Sequence, residues 1–219
     1  MKKINTLYLL FLLALLQFNV YAQGPQRFKD EVAELTANDG ALKNENVILF
    51  TGSSSIRMWK SLQDDFPKYN IVNRGFGGSQ TSDLLYYFDN LILPYKAKKI
   101  FIYEGDNDLS TGKSPEQILS TMDSVITLIR QKVSADVPVY LISPKPSISR
   151  WHIKDKYIEF NKLLRELASS KKEVHFVDVW TPALDADGNV MKDIFLEDGL
   201  HMNRKGYEIW VAVIRSYLH

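Results

Sequence analysis

The sequence alternates short apolar segments with longer amphipathic ones from about residue 47 onward, and this alternation limits the possible folds most strongly. The strand-like segments are rich in β-branched and aromatic residues and cover residues 47–50, 69–72, 100–103, 137–142 and 174–179. The helix-like segments cover residues 56–66, 81–95, 115–133, 151–168 and 205–218. Right-handed crossovers between such strands place helices on both faces of a parallel sheet. We therefore expect an α/β fold, a three-layer α/β/α sandwich with a five-stranded parallel sheet in the flavodoxin-like order 2-1-3-4-5.

The first predicted strand ends in a glycine followed by three serines, Gly52-Ser53-Ser54-Ser55. Glycine allows a sharp backbone turn, and small hydroxyl residues commonly begin a helix. The turn would place a serine at the carboxyl edge of the sheet, where ligands bind in open α/β folds. A serine-rich helix cap with no chemical role is the alternative interpretation.

The N-terminal segment has the pattern of a secretory signal peptide. Lys2 and Lys3 precede the apolar run at residues 7–16, and Val20-Tyr21-Ala22 is typical of a cleavage site. Cleavage after Ala22 would leave residues 23–219 as a single domain in a secreted or periplasmic protein. An uncleaved membrane anchor is the alternative, although the run is shorter than the ~20 residues of a bilayer span. We expect no stable membrane insertion after cleavage.

Charge and cysteine content exclude several functional classes. The formal net charge is +1, and loss of the two lysines with the signal peptide would change it to −1. This near-neutral balance argues against a nucleic-acid partner. The chain has no cysteine, which excludes disulfides, a thiol nucleophile and thiolate metal sites. The sequence predicts no metal and no cofactor, and it makes no prediction of oligomeric state.

Residues suited to acyl transfer follow several of the predicted strands. A serine hydroxyl needs an imidazole to remove its proton during attack, and we predict that His201 serves Ser54 in this way. Asp198, three residues before His201, would orient the imidazole and stabilise its charged form. The oxyanion would be bound by the N–H groups of Ser54 and Gly78 and by the side-chain amide of Asn107.

Four sequence blocks resemble those of the SGNH hydrolases, also called the GDSL lipase/esterase family. The blocks are Gly52-Ser53-Ser54-Ser55, Asn73 to Gly78, Gly105-Asp106-Asn107-Asp108 and Asp198-Gly199-Leu200-His201. The resemblance implies the same catalytic roles for these residues, and it is strongest to the platelet-activating-factor-acetylhydrolase-like branch, whose members commonly remove short acyl groups. The first block departs from the family pattern because Ser53 stands in place of an aspartate. Ser53 and Ser55 therefore remain alternative nucleophiles.

Other residues have competing interpretations. Asp178, at the end of the fifth predicted strand, is the rival to Asp198 as the triad acid. The run from Asp185 to Asn189 resembles part of a calcium loop, but a tight turn explains it more simply. Arg57, Arg74 and Trp151 are candidates for the pocket wall or for structural roles, whereas His152 and His175 are expected to be structural.

The blocks together predict an exported serine esterase that acts through an acyl-enzyme. Its expected substrates are small acyl esters, acetyl esters in particular, of a carbohydrate or lipid-like alcohol, so that the partner is a small molecule or a glycan. One alternative is a longer-chain lysophospholipase or thioesterase with the same site. A second is a non-catalytic glycan-binding relative.

Overall fold

A single parallel sheet forms the centre of the protein. The computed structural model describes residues 24–37, 39 and 46–219, so the predicted signal peptide lies outside the described residues. The strands are Val47–Gly52 (β1), Asn70–Gly75 (β2), Lys99–Tyr103 (β3), Val139–Ile142 (β4) and Val174–Val177 (β5). They pair in the order β2-β1-β3-β4-β5, and every pairing is parallel. The predicted fold class and strand order are confirmed.

Helices connect the strands and cover the sheet. The α-helices are Lys29–Thr36 (α1), Ser54–Arg57 (α2), Leu62–Asp65 (α3), Thr81–Tyr86 (α4), Phe88–Leu91 (α5), Asp106–Ser110 (α6), Pro115–Leu128 (α7), Lys154–Ser169 (α8) and Arg204–Ile214 (α9). Short 3-10 segments lie at Pro25–Phe28, Leu93–Tyr95, Trp151–Ile153, Thr181–Ala183 and Arg215–Tyr217, and Ile129–Val133 forms a π-helical turn. Within the described part of the chain, no helix has the length and apolar character needed to cross a bilayer.

Two of the predicted helices are interrupted. The prediction for residues 56–66 was wrong in length, because the chain leaves the helix after Arg57 and buries Trp59, whose indole N–H donates to Asp65 at 2.7 Å. The prediction for residues 81–95 was wrong in the same way. That stretch divides into α4, α5 and a 3-10 turn. Pro94 lies in the 3-10 turn, and its missing N–H and its ring end the α-helical pattern there.

The two faces of the sheet are both covered by apolar side chains. In β3, Ile100 and Ile102 belong to one buried cluster, while Phe101 and Tyr103 belong to the other. This alternation follows from the pleat, which directs successive side chains to opposite faces. A sheet packed on both faces is a rigid support for the loops at its carboxyl edge.

Candidate active site

Three side chains predicted to act together form a hydrogen-bonded chain at the carboxyl edge of the sheet. Ser54 is the first residue of α2, and its Oγ lies 3.1 Å from His201 Nε2. His201 Nδ1 lies 2.6 Å from Asp198 Oδ2 on the opposite side of the ring. A base within hydrogen-bond reach of a hydroxyl, itself oriented by a carboxylate, is the arrangement that activates a serine.

The loop that carries Asp198 holds this carboxylate in its charged form. The N–H groups of Leu200 and His201 each donate to Asp198 Oδ1 at 2.9 Å. Desolvation acts to raise the pKa of Asp198, but the hydrogen bonds from the His201 ring and from these two N–H groups outweigh it and lower the pKa to about 2. The carboxylate is therefore ionised at neutral pH and suited to stabilise an imidazolium.

The turn before Ser54 requires glycine. Gly52 has a φ of +124°, and a Cβ atom at this position would lie 2.1 Å from the carbonyl oxygen of Tyr103. The same carbonyl accepts a hydrogen bond from the N–H of Ser53 at 3.0 Å. The close approach of β1 to β3 at Gly52 thus fixes where α2 begins and where its first side chain lies.

The three consecutive serines have different surroundings. Ser54 Oγ contacts His201, whereas Ser53 is buried and its Oγ accepts a hydrogen bond from Asn107 Nδ2 at 2.7 Å. Ser55 is also buried, and its carbonyl oxygen accepts from Tyr207 at 2.9 Å. Within the described part of the chain, Ser54 is the serine of this run whose hydroxyl meets an imidazole.

Of the predicted oxyanion donors, Asn107 contacts Ser53, the residue before Ser54. Gly78 and Asn107 line the same cavity, and Gly78 has a left-handed φ of +66°. Among the described residues, the N–H groups of Ser54 and Gly78 have no acceptor. Asn107 Nδ2 donates to the carbonyl oxygen of Ser79 at 2.8 Å as well as to Ser53. Two backbone donors are thus available, and the Asn107 amide is held in a fixed plane.

An arginine that was not predicted from the sequence holds Asn107 from the other side. Arg150 donates to Asn107 Oδ1 at 2.9 Å and to Asp106 Oδ1 at 2.5 Å. The preceding residue, Ser149, donates its N–H to the carbonyl oxygen of Gly199 at 3.1 Å. The segment after β4 therefore contacts both Asn107 and the loop that carries His201.

Asp106 anchors this arginine from a buried position. It also accepts hydrogen bonds from Tyr157 at 2.5 Å and Tyr103 at 2.8 Å, and Lys145 Nζ lies 3.4 Å away. Burial acts to raise the pKa of Asp106, but the charges of Lys145 and Arg150 and the two tyrosine hydroxyls outweigh it and lower the pKa well below its usual range. No family block contains Arg150 or Lys145. Lys145 lies in residues 143–146, which follow the fourth predicted strand at the same sheet edge, whereas Arg150 has no such signal in the sequence.

The rival acid lies in a different environment. Asp178 Oδ1 accepts from the N–H groups of Trp180 and Thr181 at 3.0 Å each, and Oδ2 pairs with Arg165 at 3.3 Å. It therefore stabilises a turn, and the carboxylate in contact with His201 is that of Asp198.

The remaining candidates make structural contacts. Asp185 Oδ1 accepts from the N–H groups of Asp187 and Asn189, as expected for a tight turn. The three residues predicted as candidates for the pocket wall also contact other protein groups. Arg57 pairs with Glu31, Arg74 pairs with Asp39, and Trp151 stacks on Trp180. In residues 24–37, 39 and 46–219 there is no group of three or more histidine or acidic side chains that could hold a metal ion.

Comparison with known proteins identifies relatives across most of the chain. A sequence model of the GDSL-like lipase/acylhydrolase family matches residues 35–209, a range that includes all four sequence blocks. The human platelet-activating factor acetylhydrolase IB subunit alpha1 is 24% identical over 183 residues, which cover 80% of this chain and 76% of the human protein.

Solved structures share the fold. A protein from Streptococcus pneumonia named for platelet activating factor superposes with a TM-score of 0.77 at 25% identity, covering 95% of this chain and 99% of the other. A GDSL-like lipase from Bacteroides thetaiotaomicron gives 0.69 at 21% identity, covering 89% and 97%. A catalytic mutant of an acetylxylan esterase from Geobacillus stearothermophilus gives 0.64 at 15% identity, covering 80% and 94%.

Proposed function

The chain belongs to the GDSL-like lipase/acylhydrolase family, and from this premise we propose that it is an exported serine esterase that removes small acyl groups, acetyl in particular, from a carbohydrate or lipid-like alcohol. The observation that carries the proposal is the hydrogen-bonded chain from Ser54 through His201 to Asp198. The contact of Asn107 with Ser53, the residue before Ser54, brings an amide donor to this chain and supports acyl transfer rather than simple binding.

The proposed reaction has two halves. His201 Nε2 accepts the proton of Ser54 as Oγ attacks the ester carbonyl, and the resulting imidazolium is stabilised by Asp198. His201 then gives the proton to the departing alcohol, leaving an acyl group on Ser54. In the second half, His201 takes a proton from water as the water oxygen attacks the acyl carbonyl, and it then returns this proton to Ser54 Oγ as the bond to the acyl group breaks and the acid is released.

Negative charge on the carbonyl oxygen would be met by preorganised donors. The N–H groups of Ser54 and Gly78 need no rearrangement to do this, and each such donor is typically worth about 3 kcal/mol of barrier. Both hydrogens of Asn107 Nδ2 are engaged in the structure, by Ser53 Oγ and by the Ser79 carbonyl. Asn107 would therefore exchange its contact with Ser53 for one with the oxyanion.

Hydrolysis of p-nitrophenyl acetate tests the proposal. We expect Ser54→Ala to lose at least about 1,000-fold in kcat, because removal of a triad nucleophile leaves only binding and oxyanion stabilisation. Ser124→Ala is the matched control, since Ser124 is an exposed serine on α7. An alanine variant at position 54 that retains wild-type turnover while folded would refute the assignment.

A longer-chain acylhydrolase is the second candidate, and two exposed aliphatic side chains favour it. Ile148 is 40% exposed and Leu196 is 44% exposed. Ile148 packs against Gly199, and the Leu196 N–H donates to the His201 carbonyl oxygen at 2.8 Å. A series of p-nitrophenyl esters distinguishes the candidates: a kcat/KM that rises from acetate to octanoate identifies the longer-chain enzyme.

Two further parts of the proposal need separate measurements. Covalent labelling of Ser54 by a fluorophosphonate would exclude a non-catalytic glycan-binding role. Export is tested by N-terminal sequencing of protein recovered outside the cytoplasm, which we expect to begin at Gln23.

A further inference from the structure

A cavity of about 820 Å³ opens directly beside the predicted oxyanion donors. Gly78 and Asn107 form part of its wall, so a group attached close to the scissile carbonyl would extend into it. Three of its lining residues are cations, Arg27, Lys113 and Arg150, and none is a carboxylate. The remaining lining side chains are uncharged and polar. A wall of this composition is unsuited to an aliphatic chain and suited to a hydrated, negatively charged group.

Each of the three cations is anchored by a carboxylate that lies behind it. Arg27 pairs with Asp83 at 2.6 Å, and Lys113 pairs with Asp108 at 2.8 Å. The two carboxylates are 4% and 1% exposed, whereas the cations are 29% and 32% exposed. The cationic groups are therefore the members of the pairs that face the cavity.

The third pair has the same orientation and an additional cation. Arg150 is 16% exposed, and Asp106, its partner at 2.5 Å, is 6% exposed. Buried Lys145 also lies 3.4 Å from Asp106, so two cations share one carboxylate.

A fourth buried acid, Glu104, lies near these ion pairs and does not line the cavity. Glu104 is completely buried, and burial, together with the nearby charge of Asp108, raises its pKa well above the usual range. The raised pKa favours the protonated, uncharged form of Glu104. The three cations that line the cavity face it, and the three carboxylates that anchor them lie behind them.

We propose that this cavity is a subsite for an anionic group, a carboxylate or a phosphate, carried by the ester substrate. Fixed guanidinium and ammonium groups bind such anions through charge-assisted hydrogen bonds, and arginine matches their geometry with two parallel donors. The inference rests on the proposed esterase function and specifies its substrates as esters of acidic alcohols, such as uronic acids or phosphorylated sugars.

Matched acetyl esters test the subsite in the full-length protein. Kinetics would be measured with acetylated methyl glucoside, which is neutral, with acetylated methyl glucuronide, which carries a carboxylate, and with acetylated glucose phosphate. We expect a KM at least about tenfold lower for one or both anionic esters, and this advantage should shrink as salt is raised. Comparison of the two anionic esters distinguishes a carboxylate from a phosphate ligand.

Variants at the cavity wall locate the effect. Lys113→Gln should remove most of the KM advantage of the anionic esters while leaving p-nitrophenyl acetate turnover unchanged, and Lys113→Arg should retain the advantage. Lys132→Gln is the control, because Lys132 forms an exposed ion pair with Asp89 outside this cavity. If Lys113→Gln does not fold, Arg27→Gln provides the same comparison.

The two proposals fail in different ways. Equal KM values for neutral and anionic esters, in a protein that still hydrolyses p-nitrophenyl acetate, would overturn the subsite and leave the esterase intact. Absence of all ester hydrolysis would overturn the esterase. In that case binding of glucuronate or inorganic phosphate, measured as a rise in Tm that is lost in Lys113→Gln, would still support the subsite, and no rise would overturn it.

Discussion

At the scale of single residues, Ser53 and Ser54 are adjacent in sequence and serve different parts of the site. Ser54 Oγ lies 3.1 Å from the imidazole, and Ser53 Oγ accepts from Asn107 at 2.7 Å. Because Ser53 stands where the resembling family has an aspartate, this neutral hydroxyl brings no negative charge to the asparagine that is to meet an oxyanion. Its contribution is the orientation of one amide.

Substitution of the two serines distinguishes these roles. We expect Ser53→Ala to change kcat on p-nitrophenyl acetate by less than about tenfold, because the hydrogen bond that it removes is neutral, is worth about 1 kcal/mol and is exchanged by Asn107 during the proposed reaction. Ser54→Ala should lose the activity altogether. A loss in Ser53→Ala as large as that in Ser54→Ala would contradict this division of roles.

The family blocks predicted Ser54, Asn107, Asp198 and His201 because each of these residues lies in a block of a few consecutive residues with a recognisable pattern. Arg150 could not be found in this way, since it contacts Asn107 from 43 positions away along the chain. When an arginine lies outside a motif, the sequence does not show whether its side chain faces the protein interior or the solvent. Its role depends on how the segment after β4 folds.

At the scale of elements, the carboxyl end of β1 approaches β3 so closely that position 52 has no space for a side chain. Gly52→Ala places a Cβ atom 2.1 Å from the Tyr103 carbonyl oxygen, at a φ that alanine rarely adopts. We expect this variant to lose more than about 2 kcal/mol of unfolding free energy, as measured by urea denaturation.

A second glycine, Gly112, distinguishes the effect of the steric clash at position 52 from the effect of a positive φ. Gly112 has a φ of +91° with nothing within 4 Å of the added Cβ, so Gly112→Ala should cost about 1 kcal/mol and retain esterase activity. Equal stability of the two variants would show that the close approach at Gly52 is unimportant.

The parallel direction of the strands followed from the βα alternation, whereas the interruptions of two helices did not. The pattern at residues 56–66 is amphipathic throughout, and the break is caused by burial of Trp59 among Phe66, Tyr207 and Trp210. Such a tertiary contact outweighs helix propensity and is invisible in a local pattern. The break near Pro94 was available from the sequence, because proline lacks an N–H donor.

At the scale of the whole molecule, Glu104 couples folding to pH. Ser79 Oγ donates to its Oε1 at 2.6 Å, and Oε2 has no partner among the described residues. Because the pKa of Glu104 is raised in the folded protein, the folded state keeps a proton that the unfolded state releases above about pH 4.3. Stability therefore falls as pH rises through this range.

Glu104→Gln should remove this dependence. We expect the variant and the wild type to have similar unfolding free energies near pH 4. Above pH 4, the unfolding free energy of the variant should exceed that of the wild type by up to about 1.4 kcal/mol for each pH unit, until the pH reaches the pKa of Glu104 in the folded protein. Urea denaturation from pH 4 to 8 measures this, with the exposed Glu159→Gln on α8 as control. Parallel curves for the wild type and Glu104→Gln would show that Glu104 is ionised in the folded protein.

The contacts of Ser149 with Gly199 and of Arg150 with Asn107 have a consequence for engineering. A loop graft at residues 148–150, intended to change substrate preference, would remove the contact with the loop that carries His201 and the contact with Asn107 simultaneously. Position 196 offers a safer starting point for library design, because its side chain is exposed and its hydrogen bond to His201 is made by the backbone N–H.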